Sequence, residues 1–275
     1  MKEVVCFIPA RYHSQRLPGK PLLKINGVSI INRVYLQVKK CKLVNNIIVL
    51  TDDERIKTEV ENIGGQVELV IDECLNGTER IVKYLKRNLQ ICDIVVNVQG
   101  DEPFINPLHI DDCIKNYFKE KFNITYDGAY NGAYNGTYDG AYDALNTQMK
   151  TNIDLKCTTL CHVLSKSELK NRNVGKLVMN KKNDIMYCSR NIIPASKNEE
   201  INHEATYYGH IGVFVFDKDY LLTEYLSENA QHQMNEDIEW LKIIEQGYRI
   251  NVTIVDQAER GIDTADDYQY FLNKY

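Results

Sequence analysis

The fold is decided by residues 4–24, VVCFIPARYHSQRLPGKPLLK, in which an apolar run leads directly into a basic loop. Residues 4–8 are continuously apolar, which is typical of a strand that is buried on both faces of a parallel sheet. The loop that follows contains three prolines. It also has four basic side chains and no acidic one: Arg11, Arg16, Lys20 and Lys24. A buried strand that ends in such a loop indicates an α/β protein with a ligand site at the carboxyl end of the strand.

The alternation of strand and helix continues along the first half of the chain. Further buried strands are predicted at residues 47–50, 67–71 and 94–98. Helices are predicted around residues 30–38 and over residues 53–63 and 78–89. This order predicts an α/β fold with a mostly parallel central sheet and helices on both faces.

The second half mixes strands and helices without that regular alternation. Strands are predicted at residues 175–179, 211–216 and 248–255, and helices at 235–246 and 264–273. The length of 275 residues allows one large α/β domain or two small ones, and we expect residues 1–275 to form a single domain.

A tetrapeptide repeat interrupts the chain at residues 126–143, with units such as YDGA and YNGA. The period of four fits neither a helix nor a strand, and a glycine in every unit discourages both. We interpret residues 123–150 as a low-complexity insertion loop on the surface. A tyrosine-rich contact surface is the alternative.

The composition excludes several classes of protein. The net charge of −5 argues against a general nucleic-acid partner, because such proteins usually carry a basic excess. No apolar run approaches the roughly 18 residues that a membrane span needs. The eight cysteines form no CxxC pair, which favours free thiols, a reducing compartment and a cytoplasmic location.

The basic loop fits a nucleoside triphosphate. Guanidinium and ammonium groups on a stiff loop can lie against a chain of phosphates. The loop lacks the GxxxxGK[ST] pattern of a Walker A loop and the GxGxxG pattern of a dinucleotide site. From charge alone, a solvated basic turn is an equal alternative.

Two carboxylates follow glycines at predicted element ends. Asp101 stands in NVQGDEP (97–103), directly after a predicted strand, and Asp263 stands in GIDTADD (261–267), before a predicted helix. Either side chain could cap a helix. Together they could instead provide two oxygen ligands for Mg²⁺.

These pieces resemble the 3-deoxy-manno-octulosonate cytidylyltransferases, also called CMP-Kdo synthetases. The resemblance covers nearly the whole chain except the repeat. The motifs that carry it are IPARYHSQRLPGKPL (8–22), TDDERI (51–56), NGTER (76–80), NVQGDEP (97–103), YCSRNIIP (187–194), HIGVFVF (210–216), EDIEWL (236–241) and GIDTADD (261–267).

The resemblance implies a GT-A-like, Rossmann-like nucleotidyltransferase fold with a smaller β-rich region, about residues 155–205, for dimerisation and sugar binding. It implies a homodimer that transfers CMP from CTP to the anomeric hydroxyl of Kdo with Mg²⁺, and a place in lipopolysaccharide biosynthesis.

The resemblance also assigns residues to roles. Catalysis falls to Lys20, Arg16, Asp101 and Asp263, of which the two aspartates hold the metal. The nucleotide is expected to contact Pro9, Ala10, Arg11, Arg16, Lys20, Asn76, Gly77, Thr78, Arg80, Gln99 and Asp101. The sugar acid is expected to contact Gln99, Arg190, His210, Phe214, Glu239 and Trp240. Arg190 is the candidate for its carboxylate, whereas the residue pattern around His210 is more typical of a structural histidine.

Three motifs depart from the family pattern. Cys74-Leu-Asn-Gly-Thr78 stands where the family usually has His-x-Ser-Gly-Thr, Phe214 where it has Tyr, and Trp240 where it has Gln. The last two lie near the expected sugar site and leave 8-amino-Kdo or a nonulosonate open as the acceptor. A sialate-type synthetase usually carries a different first loop, and a glycosyltransferase would need a DxD motif that TDD (51–53) lacks. An inactive nucleotide-binding protein is the alternative from another class.

Overall fold

The protein is described by a computed structural model over residues 2–14, 16–122, 152–198, 201–226, 230–258 and 260–275. The predicted insertion at 123–150 and the repeat within it lie outside the described residues.

One nine-stranded sheet forms the centre of the described chain, with the path β11-β7-β10-β6-β1-β4-β5. Its strands are β1 (Val4–Ala10), β4 (Asn46–Thr51), β5 (Gln66–Leu69), β6 (Ile94–Val98), β7 (Leu155–Val163), β8 (Lys176–Met179), β9 (Ile185–Ser189), β10 (Tyr208–Asp217) and β11 (Arg249–Val255). Four of the six pairings along the path are parallel; β10 runs antiparallel to both of its neighbours on it. A small separate hairpin joins β2 (Lys24–Ile25) to β3 (Val28–Ser29).

Helices cover both faces of this sheet. They are α1 (Ile30–Val38), α2 (Glu54–Glu61), α3 (Gly77–Arg87), α4 (Pro107–Phe122), α5 (Lys218–Thr223), α6 (Gln231–Glu236), α7 (Leu241–Glu245) and α8 (Ala265–Lys274). The continuous apolar run of β1 is explained by this arrangement. Cys6 and Ile8 pack into the core on the side of α1 and α4, while Val5 and Phe7 pack into the core on the side of α3. The predicted α/β class with a mostly parallel central sheet is confirmed.

One predicted helix was wrong, and some observed elements were not predicted. The predicted helix at 235–246 is two short helices, because Asp237 adopts a left-handed conformation with φ 52° that ends α6. The predictions also missed helix α4 and strand β9, which pairs with β8 as a hairpin attached to β10. This hairpin and the antiparallel strand β10 bring a second set of side chains beside the carboxyl ends of β1 and β6.

Candidate active site

A cavity of about 550 Å³ opens at the carboxyl ends of β1 and β6. Most of the predicted site residues line it: Pro9, Ala10, Arg11, Arg16, Lys20, Asn76, Gly77, Arg80, Gln99, Asp101, Arg190, His210, Glu239, Trp240 and Asp263. The exceptions are Thr78 and Phe214, which lie behind the wall. Predicted site residues separated by up to 254 positions in the chain, Pro9 and Asp263, therefore meet in one cleft.

The basic loop is folded around Tyr12. The carbonyl oxygen of Tyr12 accepts hydrogen bonds from the backbone N–H groups of Ser14 and Gly19, both at 3.0 Å. Gly19 has φ 69°, and a Cβ there would lie 3.3 Å from the Tyr12 ring, so the position strongly favours glycine. The guanidinium of Arg55 lies 3.4 Å from the centre of the same ring. These contacts hold the loop over the mouth of the cavity.

Lys20 lies between the two predicted metal carboxylates. Its Nζ is 2.7 Å from Asp101 Oδ2 and 3.3 Å from Asp263 Oδ1, and Arg16 also contacts Asp263 at 3.1 Å. Burial disfavours the ammonium, but the two carboxylates outweigh burial and raise the pKa of Lys20. Burial and the charge of Asp101 raise the pKa of Asp263. Two anions thus share one buried cation, with a second cation at the rim.

The donor set fits a magnesium ion held together with phosphates. Asp101 and Asp263 direct carboxylate oxygens at one cation, the Lys20 ammonium, and carboxylate oxygens are the ligands that Mg²⁺ prefers. Within the described ranges, no group of three or more His, Cys, Asp or Glu side chains could hold a metal. An ion here would need substrate or water oxygens to complete its shell, as Mg²⁺ commonly does.

Glu102 is a site residue that the sequence reasoning missed. Its Oε1 accepts a hydrogen bond from the backbone N–H of Gly212 at 3.3 Å. Burial, followed by the charge of Asp101, raises the pKa of Glu102 to about 8. Glu102 therefore ties the loop after β6 to β10. Its place directly after Asp101 was the one signal for it in the sequence.

The turn at 76–80 is held against β1. Asn76 caps α3 by accepting a hydrogen bond from the backbone N–H of Glu79 at 2.9 Å. A Cβ on Gly77 would lie 2.7 Å from the ring of Pro9, so only glycine permits this approach. The backbone of the turn thus forms part of the cavity wall.

Thr78 is fully buried, although the family resemblance assigned it to the nucleotide. Its hydroxyl donates to Glu239 Oε1 at 3.2 Å and accepts from Asn97 Nδ2 at 3.1 Å. Burial raises the pKa of Glu239 to about 7. The structure therefore places Thr78 as a support for Glu239, behind the cavity.

Arg80 lines the cavity but its charge is already compensated. Its guanidinium is 2.8 Å from the carboxylate of Asp52 and also donates to the carbonyl of Val70. The side chain is 5% exposed. Arg80 thus ties α3 to the ends of β4 and β5 and offers little charge to a ligand.

Arg190 holds two loops together. Its guanidinium donates to the main-chain carbonyls of Asn173 and Asp237 at 2.7 Å each, and to those of Glu236 and Arg172 at 3.3 and 3.4 Å. The carboxylate of Glu236 in turn accepts from the Arg190 backbone N–H at 3.0 Å. Arg190 lines the cavity with most of its donors engaged.

An aromatic stack backs the same side. The rings of His210 and Trp240 lie 3.8 Å apart, and Trp240 Nε1 is 2.9 Å from the sulfur of Cys188. Phe214 lies 4.9 Å from His210 and is fully buried, so the structure places it against His210 and away from the cavity. Burial, together with Arg190 and His162, lowers the pKa of His210 to about 3.

The α/β sheet, the cationic loop at the end of its first strand and the carboxylate pair opposite that loop are the parts of a nucleotidyltransferase. A family model described as cytidylyltransferase matches residues 5–254. The chain belongs to the cytidylyltransferase family and, within it, to the 3-deoxy-manno-octulosonate cytidylyltransferases.

Relatives of that name support this placement. The chain is 33% identical to 3-deoxy-manno-octulosonate cytidylyltransferase of Protochlamydia amoebophila, covering 96% of this chain and 91% of the relative. It is 34% identical to the enzyme of that name from Parabacteroides distasonis, covering 99% and 98%. The enzyme from Escherichia coli is 30% identical over 96% of this chain and 92% of its own length.

Solved structures agree on the fold. CMP:2-keto-3-deoxy-manno-octonic acid synthetase in complex with CTP superposes with a TM-score of 0.78 at 28% identity, covering 99% of this chain and 98% of that chain. The 4-diphosphocytidyl-2C-methyl-D-erythritol synthase from Anaerococcus prevotii has a TM-score of 0.58 at 14% identity, covering 99% and 96%, and shares the fold alone. Across the described residues, no helix is long and apolar enough to cross a membrane.

Proposed function

We propose that this cytidylyltransferase moves CMP from CTP to the anomeric hydroxyl of Kdo, giving CMP-Kdo and pyrophosphate in a Mg²⁺-dependent reaction. The observation that carries the proposal is Lys20, held at 2.7 and 3.3 Å from Asp101 and Asp263 on the cavity floor. This is a charged centre suited to phosphates, and it faces a wall of hydrogen-bonding groups suited to a sugar.

The cationic side would bind the triphosphate. Arg11 is exposed at the rim, and Arg16, which is 49% exposed, could leave its pair with Asp263 and turn toward phosphate oxygens, while Lys20 would reach them from below. Asp101 and Asp263 would hold Mg²⁺, which supplies charge neutralisation at the phosphates. The base and ribose would lie against the wall formed by Pro9, Ala10, Asn76, Gly77 and Gln99.

The other side would bind the sugar acid between Gln99, His210 and Glu239, with Trp240 behind them. The anomeric oxygen attacks the α-phosphorus, its O–P bond forms, and the bond from the α-phosphorus to the bridging oxygen breaks. Pyrophosphate leaves with the electron pair of the broken bond, and the hydroxyl proton passes to solvent. The protein's contribution is to place the two reacting groups together and to stabilise the charge.

The cellular setting is proposed from the family resemblance of the sequence motifs. We place the enzyme in the cytoplasm as a homodimer, with its product used for lipopolysaccharide. All eight cysteines are free thiols, which supports a reducing compartment.

The test is pyrophosphate release from CTP with Mg²⁺ and Kdo, 8-amino-Kdo or N-acetylneuraminate, with a magnesium-free reaction as the control. Strongest release with Kdo supports the proposal. Release with only another sugar acid keeps the cytidylyl transfer and replaces the acceptor. Absence of release with all three contradicts the proposed substrate and favours the inactive nucleotide-binding alternative.

A further inference from the structure

Thr159 lies on β7, outside the sequence motifs, and contacts a residue that lines the cavity. Thr159 is fully buried and stands opposite an irregularity in β10, where the strand register shifts between Ile211 and Phe214. Its Oγ1 is 2.6 Å from the carbonyl oxygen of Val213 and 2.8 Å from Nε2 of His210. The hydroxyl therefore bridges the irregular backbone and a side chain that lines the cavity.

A count of protons fixes the direction of both hydrogen bonds. A hydroxyl has one proton to donate, and a carbonyl oxygen can only accept. The Thr159 proton therefore goes to Val213, and the hydroxyl can only accept from His210. Nε2 of His210 must then carry a hydrogen.

The other ring nitrogen is left for a ligand. Burial lowers the pKa of His210 to about 3, so the ring stays neutral near pH 7 and its single N–H is the one on Nε2. Nδ1 then carries a lone pair, and no described residue hydrogen-bonds it. Trp240, stacked at 3.8 Å, prevents the ring from turning away.

We propose that Thr159 is a positioning residue that fixes His210 as a hydrogen-bond acceptor, so that His210 selects a hydroxyl or amine donor of the sugar and rejects its carboxylate. This rests on the proposed function, because it assigns His210 to the sugar acid. The carboxylate of the sugar acid must then be bound by another part of the site. His210 accepts a hydrogen bond from a hydroxyl or amine group of the sugar.

The matched variants are Thr159→Val, Thr159→Ser and Thr158→Val. Valine preserves the shape of threonine without the hydroxyl, and serine keeps the hydroxyl. Thr158 is the control because it is equally buried on the same strand, and its hydroxyl donates to the carbonyl of Cys113 at 3.1 Å, away from His210. We expect Thr159→Val to raise the KM for Kdo about tenfold, the worth of roughly one hydrogen bond, with the KM for CTP within about twofold. The KM of Thr159→Ser for Kdo should be close to that of the wild type.

The tautomer is measured without turnover by long-range ¹H–¹⁵N correlation NMR of the full protein. The expected spectrum has hydrogen on Nε2 of His210 in the wild type and in Thr159→Ser, and a mixture of tautomers in Thr159→Val. Addition of Kdo should shift the Nδ1 resonance. Hydrogen on Nδ1 in the wild type, or an equal rise in KM for Thr158→Val, would overturn the proposal.

Failure of the proposed function is distinguishable from failure of this inference. If Kdo gives no pyrophosphate, the substrate proposal fails while the tautomer spectrum still decides the role of Thr159. If Kdo is a substrate but its addition leaves Nδ1 unchanged, the substrate proposal stands and the acceptor role of His210 is wrong.

Discussion

The side of the cavity proposed for the nucleotide and the side proposed for the sugar acid hold their polar groups by different interactions. On the nucleotide side, Arg16 and Asp263 are 49% and 26% exposed, and their ion pair can open at little cost because exposed pairs are weak. On the sugar side, Glu239 and His210 are held by buried hydroxyls, Thr78 and Thr159, and by stacked rings. Under the proposed function, the charges on the nucleotide side would exchange partners when phosphates bind, whereas the hydrogen bonds on the sugar side are already formed.

Because of this contrast, we expect substitutions on the two sides to affect activity and stability differently. A substitution among the exposed charges should change turnover with little effect on folding. A substitution among the buried hydrogen bonds should change both, because an unpaired buried group costs about 1–3 kcal/mol. Measurements of both turnover and stability in variants of the two sides can contradict this contrast.

The largest effect is expected for Asp101→Asn on the nucleotide side. Loss of one of the two carboxylates should lower kcat by about a thousandfold, because charge at the phosphates is no longer neutralised. The melting temperature should stay within about 2 °C. Asp112→Asn is the control, since Asp112 forms a surface pair with Lys115 that is remote from the cavity lining. Full activity of Asp101→Asn at saturating Mg²⁺ would remove the metal role.

The next largest effect is expected for Glu239→Gln, as a change in the free energy of unfolding that depends on pH. Burial raises the pKa of Glu239 from its ordinary value of 4.5 to about 7, so the folded state binds the proton more tightly than the unfolded state. Glu239 therefore disfavours folding increasingly as the pH rises from 4.5 to about 7. Glutamine should remove this penalty and raise stability above pH 7 by up to roughly 3 kcal/mol, with no gain below pH 4.5.

Denaturant unfolding at pH 4.5, 6 and 8.5 measures this. Glu61→Gln is the control, because Glu61 is 54% exposed in a surface pair. Equal stability of Glu239→Gln and the wild type at pH 8.5 would show that Glu239 is not a buried carboxylate, and the contrast between the two sides would fail.

The nucleotide side could be predicted more fully from the sequence than the sugar side. Its basic side chains stand close together in the chain, and a basic loop after a buried strand has few structural uses in an acidic protein. Lys20, Asp101 and Asp263 needed only the topology of an α/β sheet to be brought together. The sequence could not indicate that Arg80 is neutralised by Asp52, because that pair spans 28 positions and two elements.

The sugar side depends on contacts that no motif contains. Thr159 meets His210 because β7 and β10 are antiparallel neighbours with a register shift, and a pattern of apolar residues does not predict a shift. The predicted helix at 235–246 was wrong for a similar reason. Asp237 takes a left-handed conformation that helical periodicity does not reveal, and its carbonyl oxygen accepts from Arg190.

Substitutions of Arg190 can separate two roles of its guanidinium. One is to clamp two loops together through four main-chain carbonyls, and the other is to bind the carboxylate of the sugar acid. Arg190→Lys keeps the charge but cannot donate to four carbonyls at once. If Arg190 acts mainly as a clamp, Lys and Gln should both raise the KM for the sugar acid about tenfold and speed hydrogen exchange in residues 171–175 and 236–239. If Lys restores the KM and Gln does not, the charge is what matters. Arg87→Lys, in a surface pair with Asp72, is the control.

The smallest effect on substrate preference is expected for Phe214→Tyr. Phe214 is fully buried and lies behind His210, so a new hydroxyl would enter the core and not the cavity. We expect a loss of about 1–3 kcal/mol in the free energy of unfolding and a ratio of kcat/KM between Kdo and 8-amino-Kdo that changes by less than about threefold. Phe216→Tyr is the matched control, because Phe216 is equally buried on the same strand and stacks on Phe214 at 5.6 Å. A change of preference in Phe214→Tyr alone would mean that the hydroxyl reaches the sugar past His210, and the wall would then be less rigid than its stacked rings indicate.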